Sequence, residues 1–381
     1  MTVVVQKYGG SSLADVDRVK GVAAAIVARH RAGHRVVVVV SAMGKTTDEL
    51  MARAGGVSRH PPRRELDMLL TAGERISMAL MSMAIHELGE NAISFTGSQS
   101  GIVTESAHQG ARIIAVRPER IETALASGQI VIVAGYQGVS LDREVTTLGR
   151  GGSDTSAVAL AAALGARVCE IYSDVDGVYS ADPRVCPQAQ LLAELPYEVM
   201  QSMAGSGAKV LNADAVEFAR RAEIAIEGRK TGDGSSRRTR IGNVPNSAPS
   251  TVYAVVGAPA VTRVCHSDSE WRFRQEQIAE TGARPMRLLE HGPRCEVWLD
   301  RTDVVGRSPE VVEAALPDAR LDHGAAVTVL GAAAHRWFER ARAALPTAPL
   351  ASFLGPSDAA FFVAAEELDA AVRALHAALV E

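Results

Sequence analysis

Two glycine-rich stretches, each with one cationic side chain, carry the strongest chemical signal in the sequence. The first reads KYGGSS and contains Lys7, Gly9, Gly10 and Ser11 between a predicted strand and a predicted helix. Bare glycine backbone lets phosphate oxygens approach amide N–H groups, and a helix N-terminus adds unpaired donors. Lys7 could neutralise charge during phosphoryl transfer. An ordinary glycine turn beside a surface lysine would give the same pattern, so this stretch alone predicts little.

The second stretch, TTLGRGGSDT, sets Arg150 among three glycines. The planar guanidinium of Arg150 suits a carboxylate, and the glycines let the backbone bend closely around a ligand. Ser153 and Asp154 follow at the start of a predicted helix, where Asp154 could simply be an N-cap. Because a cap does not account for an arginine among glycines, we favour a binding role here.

Two further stretches place polar groups that could line the same cleft. Ser41 and Thr47 lie in SAMGKTTD, directly after an apolar strand, although a strand end and a helix cap would explain them as well. Glu74 lies in TAGERIS, inside a largely apolar helix, where its carboxylate could hold a substrate ammonium. The commoner alternative is a solvated helix charge paired with a neighbouring arginine.

The last two stretches are SDVDGVYSADPR and GAKVL. In the first, Ser173 and Asp174 follow a predicted strand, Tyr179 offers a flat face for a base, and Arg184 could reach a phosphate. In the second, we predict that Lys209 opens a helix. A lysine opposes the helix dipole at that position, which indicates an anion nearby, although a solvated lysine would be harmless.

These dispersed groups need a scaffold that brings them together. The first 245 residues alternate strand-like and helix-like segments, which predicts the α/β class with a mainly parallel sheet covered by helices. Ligands of such sheets bind at the carboxyl ends of the strands. The predicted strands cover residues 2–5, 36–40, 92–95, 130–134 and 168–172, and the predicted helices cover residues 13–27, 65–88 and 155–164.

Turn-forming residues concentrate over residues 231–250, and we place a domain boundary there, between domains at residues 1–245 and 250–381. The segments beyond the boundary are shorter and suggest two small βαββ units. Their predicted strands cover residues 251–256, 295–299, 326–330, 350–354 and 359–363, and their predicted helices cover residues 269–280, 309–315, 334–344 and 366–379.

Composition excludes several classes of protein. The 381 residues carry a formal net charge of -4, so no general basic surface attracts nucleic acid or anionic lipid. Four scattered cysteines without a CxxC pair indicate reduced thiols rather than a zinc site or a disulfide framework. The N-terminus lacks the pattern of a signal peptide, and no apolar run reaches the ~20 residues that span a bilayer. We therefore expect a cytoplasmic protein without a membrane partner.

Taken in order, the six stretches resemble the aspartate kinase branch of the amino-acid kinase superfamily, over roughly the first 245 residues. The resemblance implies a three-layer αβα kinase domain followed by a pair of ACT regulatory domains. It also implies ATP as phosphoryl donor, L-aspartate as acceptor, and Mg²⁺ bridged by the ATP phosphates without direct protein ligands. Lys7 and Asp154 would then be catalytic, with Asp154 orienting Lys7 or the substrate amine. The residues implied to bind aspartate are Thr47, Glu74, Arg150 and Ser153, and those implied to bind ATP are Lys7, Gly9, Gly10, Ser11, Ser41, Ser173, Asp174, Tyr179, Arg184 and Lys209.

The sequence departs from the family pattern at several places. Asn212 and Ala213 stand where many relatives carry His-Pro, and Lys45 stands where an acidic residue is frequent. The C-terminal third resembles ACT domains closely only over residues 369–379, so we expect degenerate units that support a homodimer but do not bind lysine or threonine; a changed effector is the competing view. The alternatives for function are another kinase of the superfamily, acting on a different amino acid or an aspartate analogue, and an inactive amino-acid sensor. A dedicated pathway with altered feedback control, and a reductase that consumes the acyl phosphate, are further expectations.

Overall fold

The computed structural model describes residues 2–59, 61–149, 151–232, 234–244, 252–266, 278, 281, 283–291, 294–301, 309–316 and 319–380. The chain divides into two compact units, and the second takes in two short segments from the first 245 residues. The first unit comprises Met1–Val178, Leu191–Gln201 and Val210–Pro245. The second comprises Tyr179–Gln190, Ser202–Lys209 and Asn246–Glu381.

An eight-stranded sheet forms the centre of the first unit. The strands of residues 1–245 are β1 (Val3–Tyr8), β2 (Arg35–Val40), β3 (Ala92–Phe95), β4 (Ile102–Thr104), β5 (Ile113–Val116), β6 (Ile130–Ala134), β7 (Gln137–Ser140), β8 (Val145–Thr147), β9 (Val168–Ser173), β10 (Glu194–Pro196), β11 (Ala225–Lys230) and β12 (Thr239–Gly242). The central sheet has the order β10-β12-β11-β9-β1-β2-β6-β3, and only the β11–β12 pair is antiparallel. The prediction of a mainly parallel sheet in an α/β fold is therefore confirmed.

Helices cover both faces of this sheet. The helices of residues 1–245 are α1 (Val16–Arg31), α2 (Thr46–Val57), α3 (Arg63–Leu70), α4 (Ala72–Glu87), α5 (Glu119–Ala126), α6 (Gly152–Ala163), α7 (Tyr197–Gly205) and α8 (Ala213–Arg221). Apolar side chains of α1 and α4 form one core with alternate residues of β1, β2 and β6, and α6 lies against β1 and β2. Residues 152–161 of α6 are all buried, as expected for a helix enclosed between layers.

Several features of this unit were not predicted, among them the strands β10, β11 and β12 and the helices α2, α5 and α7. The strands β5-β4-β7-β8 form a separate small sheet, and each is only three or four residues long, too short for its alternation to stand out in the sequence. The single helix predicted over residues 65–88 is two helices, because the helix is interrupted at Thr71, which ends α3 and precedes α4. The predicted start of α1 at residue 13 is also wrong, since a 3-10 turn occupies Gly10–Leu13 and Asp15 is the N-cap.

Within the described residues, α3 and α4 together form the one stretch that is long and apolar enough to cross a membrane by length and composition. This criterion is weak, because a core helix passes the same test. Glu74 and Arg75 interrupt the stretch, and Met81 and Ile85 of α4 are fully buried in the core of the first unit.

The second unit is built on a six-stranded antiparallel sheet of order β14-β15-β13-β16-β18-β17. Its strands are β13 (Val252–His266), β14 (Arg284–His291), β15 (Arg294–Asp300), β16 (Arg320–Gly331), β17 (Ala351–Leu354) and β18 (Asp358–Val363). Its helices are α9 (Glu310–Ala315), α10 (Phe338–Ala344) and α11 (Leu368–Leu379). The helix predicted over residues 269–280 lies largely outside the described residues, and β14 was not predicted because Pro285 and several charged residues break its pattern.

Candidate active site

Four neighbouring parallel strands, β11, β9, β1 and β2, end side by side at one edge of the central sheet. Gly9 N, just beyond β1, donates to Tyr172 O of β9 at 3.1 Å, and Ser41 N, just beyond β2, donates to Tyr8 O at 3.1 Å. Thr231 N, just beyond β11, donates to Ser173 O at 2.9 Å. The predicted nucleotide residues that follow β1, β2 and β9 therefore meet at the carboxyl edge, as the strand order requires.

The loop after β1 packs closely against the loop after β2. A Cβ on Gly10 would lie 2.9 Å from Ala42 O and 3.0 Å from Gly44 O, so any other residue would push the two loops apart. A Cβ on Gly9 would make only ordinary contacts, 3.5 Å from Lys7 Nζ and 3.6 Å from Tyr172 O. Gly10 is therefore required for packing, whereas Gly9, which is buried beside the lysine, has room for a side-chain carbon.

Side chains of β1, β9 and α1 support the end of β1, where the loop with Gly9 and Gly10 begins. Tyr8 and Tyr172 stack with ring centroids 4.7 Å apart. Below them the buried Glu170 accepts hydrogen bonds from Gln6 Nε2 at 2.7 Å and from Tyr172 Oη at 3.1 Å, and it pairs with Arg29 at 3.1 Å. A satisfied polar network of this kind rigidifies the ends of β1 and β9.

Lys7 and Asp154 form an ion pair at the centre of this edge. Lys7 Nζ lies 2.6 Å from Asp154 Oδ1, and the two side chains are only 12% and 9% exposed. Asp154 lies in the first turn of α6, where a negative charge is favourable for the dipole, but it is not the N-cap, which is Gly151. The cap alternative for Asp154 is therefore wrong, and the carboxylate holds the lysine instead.

Glu74 is a buried carboxylate without an ion-pair partner in the part of the chain that the structure describes. Its side chain is 3% exposed, and Oε1 accepts a hydrogen bond from Ala42 N at 3.1 Å. Oε2 has no hydrogen-bond partner among the residues that the structure describes. Burial raises the pKa of Glu74 to about 7, and hydrogen bonds from its own amide and that of Ala42 oppose the rise. The alternative of a solvated charge paired with an arginine is therefore wrong, and the free oxygen is suited to a cationic ligand.

Ala42 connects the loop after β1 to Glu74. Its carbonyl contacts Gly10, its amide binds Glu74, and a Cβ on Gly73 would lie only 2.7 Å from Ala42 Cβ. On the opposite side, a Cβ on Gly135, just after β6, would lie 2.8 Å from Ser153 Oγ. Small residues thus let the elements that carry Glu74 and Ser153 approach the sheet edge closely.

Substituting Gly73 tests this packing. We expect Gly73→Ala to lower the free energy of unfolding by about 1–3 kcal/mol, because the added methyl overlaps Ala42. For the aspartate substrate that the family resemblance implies, it should also raise the KM, since a shift of Ala42 moves the partner of Glu74. The measurement is urea unfolding combined with steady-state kinetics.

Gly21→Ala is the matched control for Gly73→Ala. A Cβ on Gly21 would meet nothing within 4 Å, so this helix substitution should stabilise the protein by about 0.5–1 kcal/mol and leave the KM unchanged. A Gly73→Ala protein as stable as the parent would contradict the packing that we describe.

The loop from β8 to α6 is tightly constrained. Gly151 has φ 72° and ψ 5°, and a Cβ there would lie 2.5 Å from Asn212 Nδ2, so both conformation and space require glycine. Asn212 also caps α8, since its Oδ1 accepts from Asp214 N at 2.8 Å. Arg150, the predicted clamp for the α-carboxylate, lies outside the described residues. Asn212, noted as a departure from the family pattern, is therefore part of the support of this loop.

The remaining predicted residues are distributed over both units. Thr47 is partly buried in α2, and Ser11 and Asp174 are exposed near the sheet edge. Tyr179, Arg184 and Lys209 belong to the second unit, where Arg184 pairs with Asp182 at 2.6 Å. The helix after Lys209 begins only at Ala213, so the prediction that Lys209 opens a helix is wrong. The exposed lysine therefore gives no dipole argument for an anion.

Two residues at the sheet edge were missed. Lys230 ends β11 beside Ser173, and Thr231 Oγ1 lies 2.6 Å from Ser12 Oγ in the loop after β1. The signal for them was the segment that became β11, which we did not recognise as a strand. Among the described residues, no group of three His, Cys, Asp or Glu side chains could hold a metal ion.

The amino acid kinase family profile matches residues 2–227, which is more than half of the chain and includes Lys7, Glu74 and Asp154. The chain therefore belongs to the amino acid kinase family. An aspartokinase from Mycobacterium tuberculosis is 55% identical over 271 residues, which cover 71% of this chain and 63% of that protein. The chain thus spans less than two thirds of the length of this curated relative.

Solved structures agree with this assignment. Aspartate kinase from Synechocystis has a TM-score of 0.59 at 32% identity, over 99% of this chain and 69% of that one. E. coli aspartokinase III, in complex with aspartate and ADP, has a TM-score of 0.85 at 22% identity over the whole of both chains, which shows the shared fold. The resemblance to the aspartate kinase branch is confirmed.

Proposed function

We propose that this chain is an aspartate kinase, which transfers the γ-phosphoryl group of ATP to the side-chain carboxylate of L-aspartate. One observation carries the proposal: a buried Lys7–Asp154 pair and the unpaired buried carboxylate of Glu74 flank the same glycine-containing edge of the sheet. A cation beside bare backbone suits phosphate, and a carboxylate without a cation suits an ammonium. The curated relatives are aspartokinases, which supports aspartate as the substrate.

The aspartate-binding residues are assigned by the charge that each side chain offers. Glu74 receives the α-ammonium on its free Oε2. Arg150 holds the α-carboxylate, because a guanidinium pairs with a carboxylate in a bidentate manner. Thr47 and Ser153 add hydroxyl groups beside the substrate. The amino acid is thus held by its backbone groups, which leaves its side-chain carboxylate to react.

The nucleotide residues are assigned in the same way. Lys7 lies nearest the transferred phosphoryl group, and the loop after β1 contacts the phosphates. Magnesium ions would enter with ATP rather than on side chains of this chain, and when bound they would neutralise phosphate charge. The further proposed ATP-binding residues are Gly9, Gly10, Ser11, Ser41, Ser173, Asp174, Tyr179, Arg184 and Lys209.

Transfer requires no general base. The aspartate side chain, with an ordinary pKa of ~3.9, is already an anionic nucleophile near neutral pH. Catalysis then depends on in-line alignment and on the charge of Lys7, which Asp154 keeps in place. The product, 4-phospho-L-aspartate, is a reactive acyl phosphate, so a reductase or another acyl-consuming enzyme must use it.

The second unit is proposed to contain two degenerate ACT-like domains, over residues 250–381. Its antiparallel strands and its helices α9, α10 and α11 support that assignment. We propose that the unit mediates a homodimer in the cytoplasm and does not bind lysine or threonine. A specialised pathway with altered feedback control would suit such a regulatory unit.

A single assay tests the proposed function. ADP release should be fast with L-aspartate. The kcat/KM should be at least about tenfold lower with glutamate, N-acetylglutamate, carbamate or UMP, because the site recognises both the α-ammonium and the length of the substrate side chain. Lysine and threonine should not inhibit at sub-millimolar concentration. Equal rates with another acceptor would reassign the substrate, and nucleotide binding without turnover would indicate a sensor. Inhibition by lysine or threonine would show that the second unit binds an effector.

A further inference from the structure

A second buried carboxylate lies close to the loop that contains Arg150. Asp67, on α3, is completely buried, with 0% of its side chain exposed. Its Oδ1 lies 2.6 Å from Thr147 Oγ1, and its Oδ2 lies 2.6 Å from His108 Nδ1. Gln109 N donates to both oxygens, at 3.2 and 3.3 Å. Because an ionised carboxylate can only accept, Thr147 and His108 are donors as well.

These contacts hold Thr147 from two sides. The Thr147 hydroxyl donates to Asp67, and the Thr147 carbonyl accepts hydrogen bonds from Gly110 N at 3.0 Å and Ala111 N at 2.9 Å. The hydroxyl and the carbonyl of this last residue of β8 are therefore bound by α3 and by the loop after β4. A Cβ on Gly149 would lie 3.4 Å from Gly110 Cα, so the same loop also contacts the residue that precedes Arg150.

We propose that Asp67 is a positioning residue for aspartate binding, which fixes the segment from Thr147 to Gly149 and thereby the start of the carboxylate-binding loop. The proposal rests on the proposed function, since it assigns Arg150 to the α-carboxylate. Asp67 is completely buried, so it acts through its neighbours. A buried carboxylate needs all three donors, which tie α3, the loop after β4 and the end of β8 together.

A purely structural role would have a different signature. A buried hydrogen-bond network that only stabilises the fold should lower the melting temperature and leave KM values in place. A positioning role should raise the aspartate KM selectively, because small displacements of a binding group cost much of its contribution. The split between the aspartate KM, the ATP KM and the melting temperature therefore separates the two roles.

The test compares Asp67→Ala with Thr147→Val and Thr147→Ser in the full chain. Asp67→Ala and Thr147→Val should each raise the aspartate KM about tenfold or more and change the ATP KM by less than about threefold. Thr147→Ser keeps the hydroxyl and should retain the parent aspartate KM. If Asp67→Ala fails to fold, the Thr147 pair still tests the contact, because valine has the shape of threonine without its hydroxyl.

Two further variants make the result unambiguous. Tyr197→Phe removes a buried hydrogen bond to Ile224 O, 2.7 Å long, elsewhere in the same unit, so it should lower the melting temperature without changing the aspartate KM. Arg150→Ala reports on the proposed function itself. If Arg150→Ala raises the aspartate KM and both Asp67→Ala and Thr147→Val do not, the role of Asp67 is refuted alone. If Arg150→Ala leaves the KM unchanged, the assignment of the carboxylate clamp fails instead.

Discussion

Replacement of Lys7 by alanine is expected to lower kcat by about three orders of magnitude or more, because it removes the cation that we propose neutralises the transferred phosphoryl group. Lys7 is 12% exposed and its Nζ lies 2.6 Å from Asp154, so the alanine variant loses the cation at this buried position. Nucleotide affinity should fall far less, since the glycine-containing loop after β1 remains. The measurement is ADP release at saturating aspartate and ATP, with ATP binding measured separately by calorimetry.

The same substitution leaves Asp154 buried without its cation, which by itself destabilises a protein by about 3–5 kcal/mol. The double variant Lys7→Ala/Asp154→Asn removes both charges, and it should recover much of the lost stability while kcat stays low. Lys20→Ala, on the exposed face of α1, is the matched control and should keep the parent kcat. Turnover of the Lys7→Ala enzyme within tenfold of the parent would exclude Lys7 from catalysis.

Much of the site could be predicted because it lies where parallel strands end. The valine run that became β2 and the strands β1 and β9 were visible in the sequence, and their order in a parallel sheet brings their loops to one edge. The pairing of Lys7 with Asp154 was less visible, since Asp154 at a helix start could equally have been a cap. Only the resemblance, and then the 2.6 Å contact, separated the two possibilities.

The contacts that the sequence could not indicate are those between side chains far apart in the chain. Asp67 belongs to a helix with two arginines and a glutamate, so its charge could not be told from a solvated one until α3 packed on β8. Asn212 could be recognised as a departure from the family pattern, but its contact with Gly151 depends on how α8 lies beside α6. For Lys209 the sequence suggested a role that the structure does not support. The helix begins three residues later than predicted, because Asn212 is its N-cap.

The length of the C-terminal strands was also beyond the sequence pattern. β13 runs from Val252 to His266, more than twice the predicted length, with irregular pairing to β16 near Val252 and Ala258. Such bulges shift the alternation of buried and exposed residues, so a search for strict alternation ends too early. β14 was missed for a related reason, since its pairing with β15 shifts near Pro285.

Replacement of Glu74 by glutamine is expected to lower activity while raising stability above neutral pH. The variant loses the charge that we propose holds the substrate ammonium, so kcat/KM for aspartate should fall about 10²-fold, the effect of one charged hydrogen bond. The ATP KM should change little. Glu87→Gln, exposed on the same helix, is the control and should match the parent in both constants.

The stability change should depend on pH. The pKa of Glu74 is about 7 in the folded protein against 4.5 for an ordinary glutamate, so between these values the folded state binds more protons than the unfolded state. Stability of the parent therefore falls as pH rises from 4.5 to 7, by up to about 3 kcal/mol. The neutral glutamine has no such loss, so Glu74→Gln should be the more stable protein at pH 8, by urea unfolding, and close to the parent near pH 4.5.

The pH dependence of binding follows from the same charge. Below about pH 7 the free enzyme carries a protonated Glu74, so kcat/KM for aspartate should fall tenfold for each pH unit, and this limb should be absent in Glu74→Gln. Near pH 7, aspartate binding should release about half a proton, because the bound ammonium favours the ionised carboxylate. Calorimetry in buffers of different ionisation enthalpy measures that release. Binding with no proton exchange, together with an acidic limb that persists in the variant, would show that the ammonium is held by another group.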